Sequence, residues 1–303
     1  MVSQEPANIY HAHDFNTLPV AFWASRKHGA KLIYDSHELY VDRNLLQPPT
    51  RIKKYLLKRL ECYYIRRSSA VITVNEAIAN ELAKRYKVKV PNVVMNTPSK
   101  RKVAISLNGN PLRTAIGVGE EYKILLYCGI MTFNRGLDKV IKSMAYLPHH
   151  YLVFMGYGTE EYKNYLREIA SEAKIEDRFS FFGPVPSEKV TTFAAGADLG
   201  VAPIENACLS YYYCSPNKVF EYISAGLPVI GSNFPELKRV IHTYEIGSTF
   251  DPSDPVDIAR AAREVLEDRE GWNRMKQNTI KAAKVFNWEN ESLKLLELYG
   301  SVS

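Results

Sequence analysis

The strongest constraint in this sequence is its rhythm: short apolar runs alternate with amphipathic stretches along most of the chain. Ile9-Tyr10-His11-Ala12-His13, Lys31-Leu32-Ile33-Tyr34, Ala70-Val71-Ile72-Thr73-Val74 and Asn92-Val93-Val94-Met95 read as buried strands. Helical patterns lie between them, such as Glu76 to Tyr86 behind an N-cap at Asn75. Strand–helix–strand order predicts parallel sheets with crossover helices, an α/β class. The rhythm pauses from Thr97 to Glu121, where Pro98, Gly109, Pro111, Gly117 and Gly119 sit among polar residues. That composition reads as a linker. A second series then begins, with strands at 123–127, 151–155, 179–182, 199–202 and 228–230 and a helix over 160–173. The 303 residues suit two domains of roughly 150 residues each.

Charge and cysteine content narrow the partners. A formal net charge of +6 suits anionic ligands such as phosphates, nucleic acid or an acidic membrane surface, and chooses none of them. Cys62, Cys128, Cys208 and Cys214 have no metal-type spacing, so a reduced, cytoplasmic compartment is expected. The polar opening, Met1 to Asn8, does not read as a secretory signal, and no apolar run approaches the roughly 20 residues of a membrane span.

Open parallel sheets bind ligands at the carboxyl ends of their strands, which ranks the motifs. Gly129-Ile130-Met131-Thr132-Phe133-Asn134-Arg135-Gly136-Leu137 follows a strand and opens a helix. A helix N-terminus favours phosphate, and Arg135 adds a bidentate donor; an ordinary turn with a surface arginine is the bland alternative. In Ser215-Pro216-Asn217-Lys218-Val219-Phe220-Glu221, Lys218 and Glu221 share one face of a helical turn. Lys218 can reach a phosphate and Glu221 can accept hydrogen bonds from vicinal hydroxyls; a solvated ion pair is the competing reading. His11-Ala12-His13-Asp14 closes a strand, with both histidines on one face. They suit a sugar hydroxyl or a metal, but the neighbouring sequence supplies no third ligand, so no metal site is expected. Asp35-Ser36-His37-Glu38 reads as a capped turn, Gly156-Tyr157-Gly158 as a weak glycine signal lacking the third glycine, and Asp251-Pro252-Ser253-Asp254 as a loop and helix cap. The segment 51–67 is a basic amphipathic helix, suited to an anionic membrane or to a solvated face over a buried stripe.

Together these motifs resemble glycosyltransferase family 4, the retaining GT-B enzymes. The likeness runs over the whole chain and is strongest from Lys123 to Leu266, with Pro216 to Ile230 similar to the donor-site signature. The resemblance implies two Rossmann-like doubly wound domains facing a cleft. Residues 1–100 would form the N-terminal, acceptor-side domain, with the tail 286–303 packing back on it. Residues 101–120 would link it to a nucleotide-sugar domain at 121–285. By position, Glu221 matches the carboxylate that holds the donor ribose, and Arg135 the basic residue on the diphosphate, with Gly129 and Gly136 in its loop. Asn217 and Lys218 share the phosphate task, Gly183 and Val185 match the backbone that reads the base, and His13 matches the catalytic histidine beside the transferred sugar. The implied reaction moves a sugar from a UDP- or GDP-sugar to a glycan, lipid-linked or small-molecule acceptor, without metal or cofactor. Nucleic acid is not an expected partner; a peripheral contact at the inner membrane face through 51–67 is among the expectations.

Three departures from the family pattern open alternatives. Tyr213 stands eight positions before Glu221, where the family has a paired glutamate, and Ile130 stands where a basic residue is usual. The family also has further βα units, with a glycine-rich loop, before the histidine strand. The resemblance therefore implies an incomplete N-terminal domain with an exposed sheet edge, and a partner chain that completes it is one expectation. The alternatives to a transferase are a non-catalytic nucleotide-sugar-binding subunit and a GT-B-like nucleotide-sugar epimerase; a nicotinamide oxidoreductase is disfavoured by the missing Gly-x-Gly-x-x-Gly.

Overall fold

The computed structural model describes residues 5–45, 47–100 and 110–302. The chain divides into two compact units, each built from several stretches of sequence. Unit 1 comprises Met1–Asn96, Ala207–Ser215 and Trp288–Ser303; unit 2 comprises Thr97–Asn206 and Pro216–Asn287.

Unit 1 alternates strand and helix: β1 (Ile9–His13), α1 (Asp14–His28), β2 (Lys31–Ser36), α2 (Arg51–Ile65), β3 (Ala70–Thr73), α3 (Glu76–Tyr86) and β4 (Asn92–Val93). The four strands form one parallel sheet in the order β1-β2-β3-β4, as right-handed βαβ units with short loops would give. The helix ends are set as backbone chemistry requires, including the N-cap read at Asn75. The Asn75 side chain accepts from the Ile78 N–H and starts α3, and Gly29, in the left-handed region, ends α1. One face of the sheet carries a core of Tyr10, Ala12, Leu18, Phe22, Leu32, Tyr34 and Leu82. On the other, Ile33 and Ile72 pack with Leu298 of the last helix.

Unit 2 contains α4 (Pro111–Ile116), β5 (Lys123–Cys128), α5 (Leu137–Ser143), β6 (His150–Met155), α6 (Glu160–Glu172), β7 (Phe179–Phe182), α7 (Ser187–Ala194) and β8 (Leu199–Ala202). After the excursion through α8 (Leu209–Tyr212) in unit 1, it resumes with α9 (Asn217–Ser224), β9 (Val229–Ser232), α10 (Pro235–Thr243), β10 (Gly247–Phe250), α11 (Pro255–Leu266) and α12 (Arg269–Ala283). The final helix, α13 (Trp288–Val302), belongs to unit 1. The six parallel strands run β10-β9-β8-β5-β6-β7, the doubly wound order whose topological switch point lies between β5 and β8.

Two boundaries differ from expectation. Of the stretch 101–120 read as linker, residues 101–109 lie outside the described residues, while the rest holds a helix of unit 2. Asn110 caps α4 by accepting from Leu112 and Arg113 and donates to the Gly196 carbonyl, and Arg113 pairs with Asp198 at 2.8 Å. Arg113 is buried there despite its charge. Residues 207–215, expected in the nucleotide-sugar domain, cluster with unit 1: Ser210 donates to Glu38 at 3.2 Å and Asn75 to the Tyr213 carbonyl at 2.9 Å.

Candidate functional site

In unit 2, three loops meet at the carboxyl ends of β5, β6 and β7. The Gly129 N–H donates to the Met155 carbonyl at 2.9 Å, and the Gly156 N–H to the Phe182 carbonyl at 3.0 Å. Met131 bridges Gly158 in parallel fashion. Gly156 has φ +142°, and a Cβ there would lie 2.2 Å from the Gly129 carbonyl oxygen, so only glycine fits. The Gly156-Tyr157-Gly158 segment, discounted in sequence, is thus a wall of the same loop cluster. Gly129 has φ +129° and exposes its backbone; Gly136, at φ +67°, forms the N-cap of α5 against Pro203. Arg135 sits half-buried one residue before that cap. Helix α5 has only seven residues, so its partial charge is modest and side-chain cations must carry more of any phosphate binding.

Lys218 is a buried cation beside this loop. It is 7% exposed, and its Nζ lies 3.9 Å from the centroid of the Tyr127 ring; a Cβ on Gly129 would lie 3.6 Å from its Cε. The Tyr127 hydroxyl in turn donates to the Ile130 carbonyl at 2.7 Å. The lysine rests on an aromatic face beside the glycine loop, a cation–π contact in a partly desolvated setting. Glu221, one turn on, is half-buried. Burial raises its carboxyl above the usual range, and the nearby Lys218 charge opposes that rise. Asn217 is exposed in the first turn of α9.

The residue that places this helix was missed in sequence. Tyr222 is fully buried; its hydroxyl accepts from the Cys128 N–H at 2.8 Å and donates to the Leu126 carbonyl at 3.0 Å. Its ring fills the space a Cβ on Gly200 would occupy, at 2.5 Å. One tyrosine therefore pins α9 across β5 and β8, at the switch point. Its signal was a tyrosine four residues after Lys218, facing a strand glycine.

The other expected residues are held less tightly. Gly183 and Val185 follow β7; Gly183 is exposed and a Cβ there meets nothing within 4 Å. Ile130 is 62% exposed. Lys139, near the Gly129 loop, is neutralised by Asp138 at 2.8 Å and Glu205 at 2.9 Å. A separate cavity, lined by Lys123, Leu266, Arg269, Trp272 and Asn273, opens at the amino-terminal end of β5, away from these loops.

In unit 1, the parallel register sets His13 opposite Asp35 at the carboxyl ends of β1 and β2. His11 Nε2 and His13 Nδ1 each lie 3.4 Å from Asp35 Oδ2, and His37 Nε2 lies 3.3 Å from it. His13 Nδ1 and His37 Nε2 are 3.3 Å apart. Burial opposes the Asp35 charge, but the His11 and His37 imidazoles outweigh it and hold the carboxyl far below its usual range. Hydrogen bonds to Asp14 and Asp35 push His37 up to about 10 against its burial. Burial and the His11 charge lower His13. The partner group that the local sequence did not supply therefore comes from the next strand. Asp35-Ser36-His37 is more than a capped turn. Tyr213, the position of interest before Glu221, lies instead against the unit 1 core.

Comparison with known proteins agrees with this architecture. Residues 110–282 match the family described as Glycosyl transferases group 1, and residues 1–96 match Glycosyltransferase Family 4. An uncharacterized glycosyltransferase of Methanocaldococcus jannaschii is 24% identical over 96% of this chain and 75% of its own length. The alpha-monoglucosyldiacylglycerol synthase of Streptococcus pneumoniae is 24% identical over 88% of this chain and 60% of its own. HepE of Anabaena, solved in complex with UDP, superposes with a TM-score of 0.81 at 16% identity, covering 99% of this chain and 80% of HepE. The fold is of the GT-B type, and with more than half its length matched, the chain belongs to the group 1 glycosyl transferases and is a transferase enzyme.

Proposed function

We propose that this transferase is retaining and moves a sugar from a uridine- or guanosine-diphosphate sugar to a glycan, lipid-linked or small-molecule acceptor. The observation that carries the donor half is the buried Lys218 laid against Tyr127 beside the bare Gly129 backbone, with Glu221 one turn on. Lys218, Asn217 and Arg135 bind the diphosphate, with the Gly129–Gly136 loop presenting N–H groups. Glu221 accepts from the ribose hydroxyls, and the Gly183–Val185 backbone faces the base. Fixed charge in a partly desolvated site stabilises the phosphate as it leaves, without a metal. His13 touches the transferred sugar. HepE was solved with UDP, which makes uridine the first nucleotide to try.

The test is calorimetric titration of the full chain with UDP, GDP and ADP. One nucleotide is expected to bind selectively, and Glu221→Ala and Lys218→Ala are each expected to weaken it about tenfold or more, as loss of a charge-assisted hydrogen bond predicts. Unchanged affinity in both variants removes the donor assignment. Transfer activity that a chelator abolishes and a divalent ion restores contradicts the metal-free reading.

A membrane-facing acceptor is favoured by α2. Its inward side buries Glu61 and Ile65, while Ile52 (76% exposed), Tyr55, Leu56, Leu60 and Tyr63 face outward among Arg51, Lys53 and Arg59. No described helix is long and apolar enough to cross a membrane. An exposed apolar stripe set among cations suits the surface of an anionic bilayer, here the inner face toward the cytoplasm. The Streptococcus relative is named for a glucosylated diacylglycerol. Co-sedimentation with phosphatidylglycerol vesicles, lost in Ile52→Glu/Leu56→Glu, supports this reading; equal pelleting of variant and parent removes it.

A further inference from the structure

The histidine cluster of unit 1 has a geometry that sugar recognition does not require. Around a tetrahedral zinc-class ion with bonds of about 2.0–2.1 Å, neighbouring ligand atoms stand about 3.3–3.4 Å apart. Here Asp35 Oδ2 stands 3.4 Å from His11 Nε2, 3.4 Å from His13 Nδ1 and 3.3 Å from His37 Nε2, and the last two nitrogens are 3.3 Å apart. His11 Nε2, His13 Nδ1 and Asp35 Oδ2 all lie within 4.8 Å of one another. His11 Nε2 is buried and within ion-pair distance of Asp35, yet it has no hydrogen-bond partner in proper alignment. An ion shared with the carboxylate would satisfy that nitrogen.

The outer shell is also present. Histidines that bind metal commonly use their second ring nitrogen to engage a carboxylate or other oxygen, which fixes the ring and the tautomer. His37 Nδ1 lies 3.5 Å from Asp14 Oδ2, and His11 Nδ1 bonds the Tyr299 hydroxyl at 2.6 Å. Asp14 is itself held, accepting from the His37 backbone N–H at 3.0 Å, and sits at φ 59°, a conformation aspartate tolerates.

We propose that His11, His13 and Asp35 bind a divalent transition ion of the zinc class, with His37, which lies outside that three-residue group, closing in as the fourth ligand and with Tyr299 and Asp14 orienting two of the imidazoles. Three imidazoles and one carboxylate favour zinc, cobalt or nickel over magnesium or calcium. Loading requires two adjustments. The His11 and His13 rings are stacked, with centroids 4.4 Å apart and planes at 14°, so one must turn to bring the ion into both ring planes. His13, with a side chain 60% exposed, has room to turn. His37 Nε2 must also be unprotonated to offer its lone pair to the ion. Once bound at His13 Nδ1, the ion holds that ring toward Asp35 and so competes with the sugar contact proposed above. That consequence alone rests on the transfer reading; the binding does not.

The test uses the chelator-stripped full chain titrated with Co2+, whose visible absorption is intense in four-coordinate sites and faint in octahedral ones. One equivalent is expected to give the four-coordinate band, and one equivalent of Zn2+ to abolish it. His37→Ala and Asp35→Asn are expected to weaken Co2+ binding by more than tenfold, and Tyr299→Phe, an outer-shell change, by about tenfold. Circular dichroism and nucleotide binding by unit 2 serve as folding controls, so loss of the metal site is distinguishable from loss of the donor reading. His37 is largely exposed and carries the test if Asp35→Asn does not fold. A faint octahedral spectrum, or affinity indifferent to His37→Ala, overturns the proposal.

Discussion

The two units carry their candidate chemistry at the same place, the carboxyl ends of parallel strands, but build it from different materials. Unit 2 uses backbone: glycines in conformations other residues avoid, one buried lysine and one tyrosine strut. Unit 1 uses titratable side chains crowded around a single carboxylate. The first kind of site binds by shape and fixed dipoles and tolerates little change in the chain path. The second is held by charge and answers to protons and cations. The difference is testable by perturbing the backbone, the buried charge and the pH in turn.

The largest expected effect is steric. Gly156→Ala places a methyl group 2.2 Å from the Gly129 carbonyl, in a backbone region hostile to L side chains. It is expected to cost about 3 kcal/mol or more in urea unfolding and to abolish nucleotide binding. Gly183→Ala, where a methyl meets open space, is expected to stay within about 0.5 kcal/mol of the parent. Equal stability for the two variants would break the claim that backbone shape defines the unit 2 site.

The next effect separates acid sensitivity in unit 2 from the charge cluster of unit 1. His150 is buried at the start of β6, and burial lowers its pKa to about 4 from 6.5, with His149 adding to the effect. A depressed folded-state value means stability present above pH 6.5 and lost as pH falls from 6.5 to 4, because only the unfolded chain takes up the proton. The loss is at most about 3 kcal/mol. His150→Leu is expected to flatten the pH dependence of unit 2 unfolding across that window; an unchanged slope assigns the acid sensitivity elsewhere.

The smallest effect is on binding. On the proposed reading Glu221 accepts ribose hydrogen bonds as a carboxylate, and burial has raised its pKa. Nucleotide affinity is therefore expected to fall as pH drops toward that raised value, by up to about tenfold. Lys218→Met removes the opposing charge, so the fall should begin at higher pH. A pH-independent affinity in both proteins would remove Glu221 from the ribose.

Most of the fold was legible where burial alone decides it. The strand at 199–202 coincides with its apolar run because both its faces are covered, while those at 9–13 and 179–182 are edge strands whose apolar runs are buried in part. β10 was missed because Gly247-Ser248-Thr249-Phe250 buries only its last residue deeply. The helix at 111–116 was hidden because Gly109, Gly117 and Gly119 around it read as loop composition, while its Asn110 cap and the Arg113–Asp198 pair show only in three dimensions. Of the site, Lys218 and Glu221 were readable from helical spacing. The approach of Asp35 and His37 to His13 was not, since strand register brings together residues more than 20 positions apart. Nor was the departure of 207–215 to unit 1, which depends on contacts such as Ser210 with Glu38.

The interleaving of the two units has a consequence for how the protein is made. Residues 97–287 contain everything unit 2 needs, whereas unit 1 waits for its last piece. Until α13 emerges, Ile33 and Ile72 lack the Leu298 side chain that covers them, and the Met95 N–H lacks the Glu291 carboxylate that accepts it at 2.9 Å. On the ribosome, the domain begun first is the one finished last, and its bare sheet face must be shielded for the whole time the second domain is being synthesised.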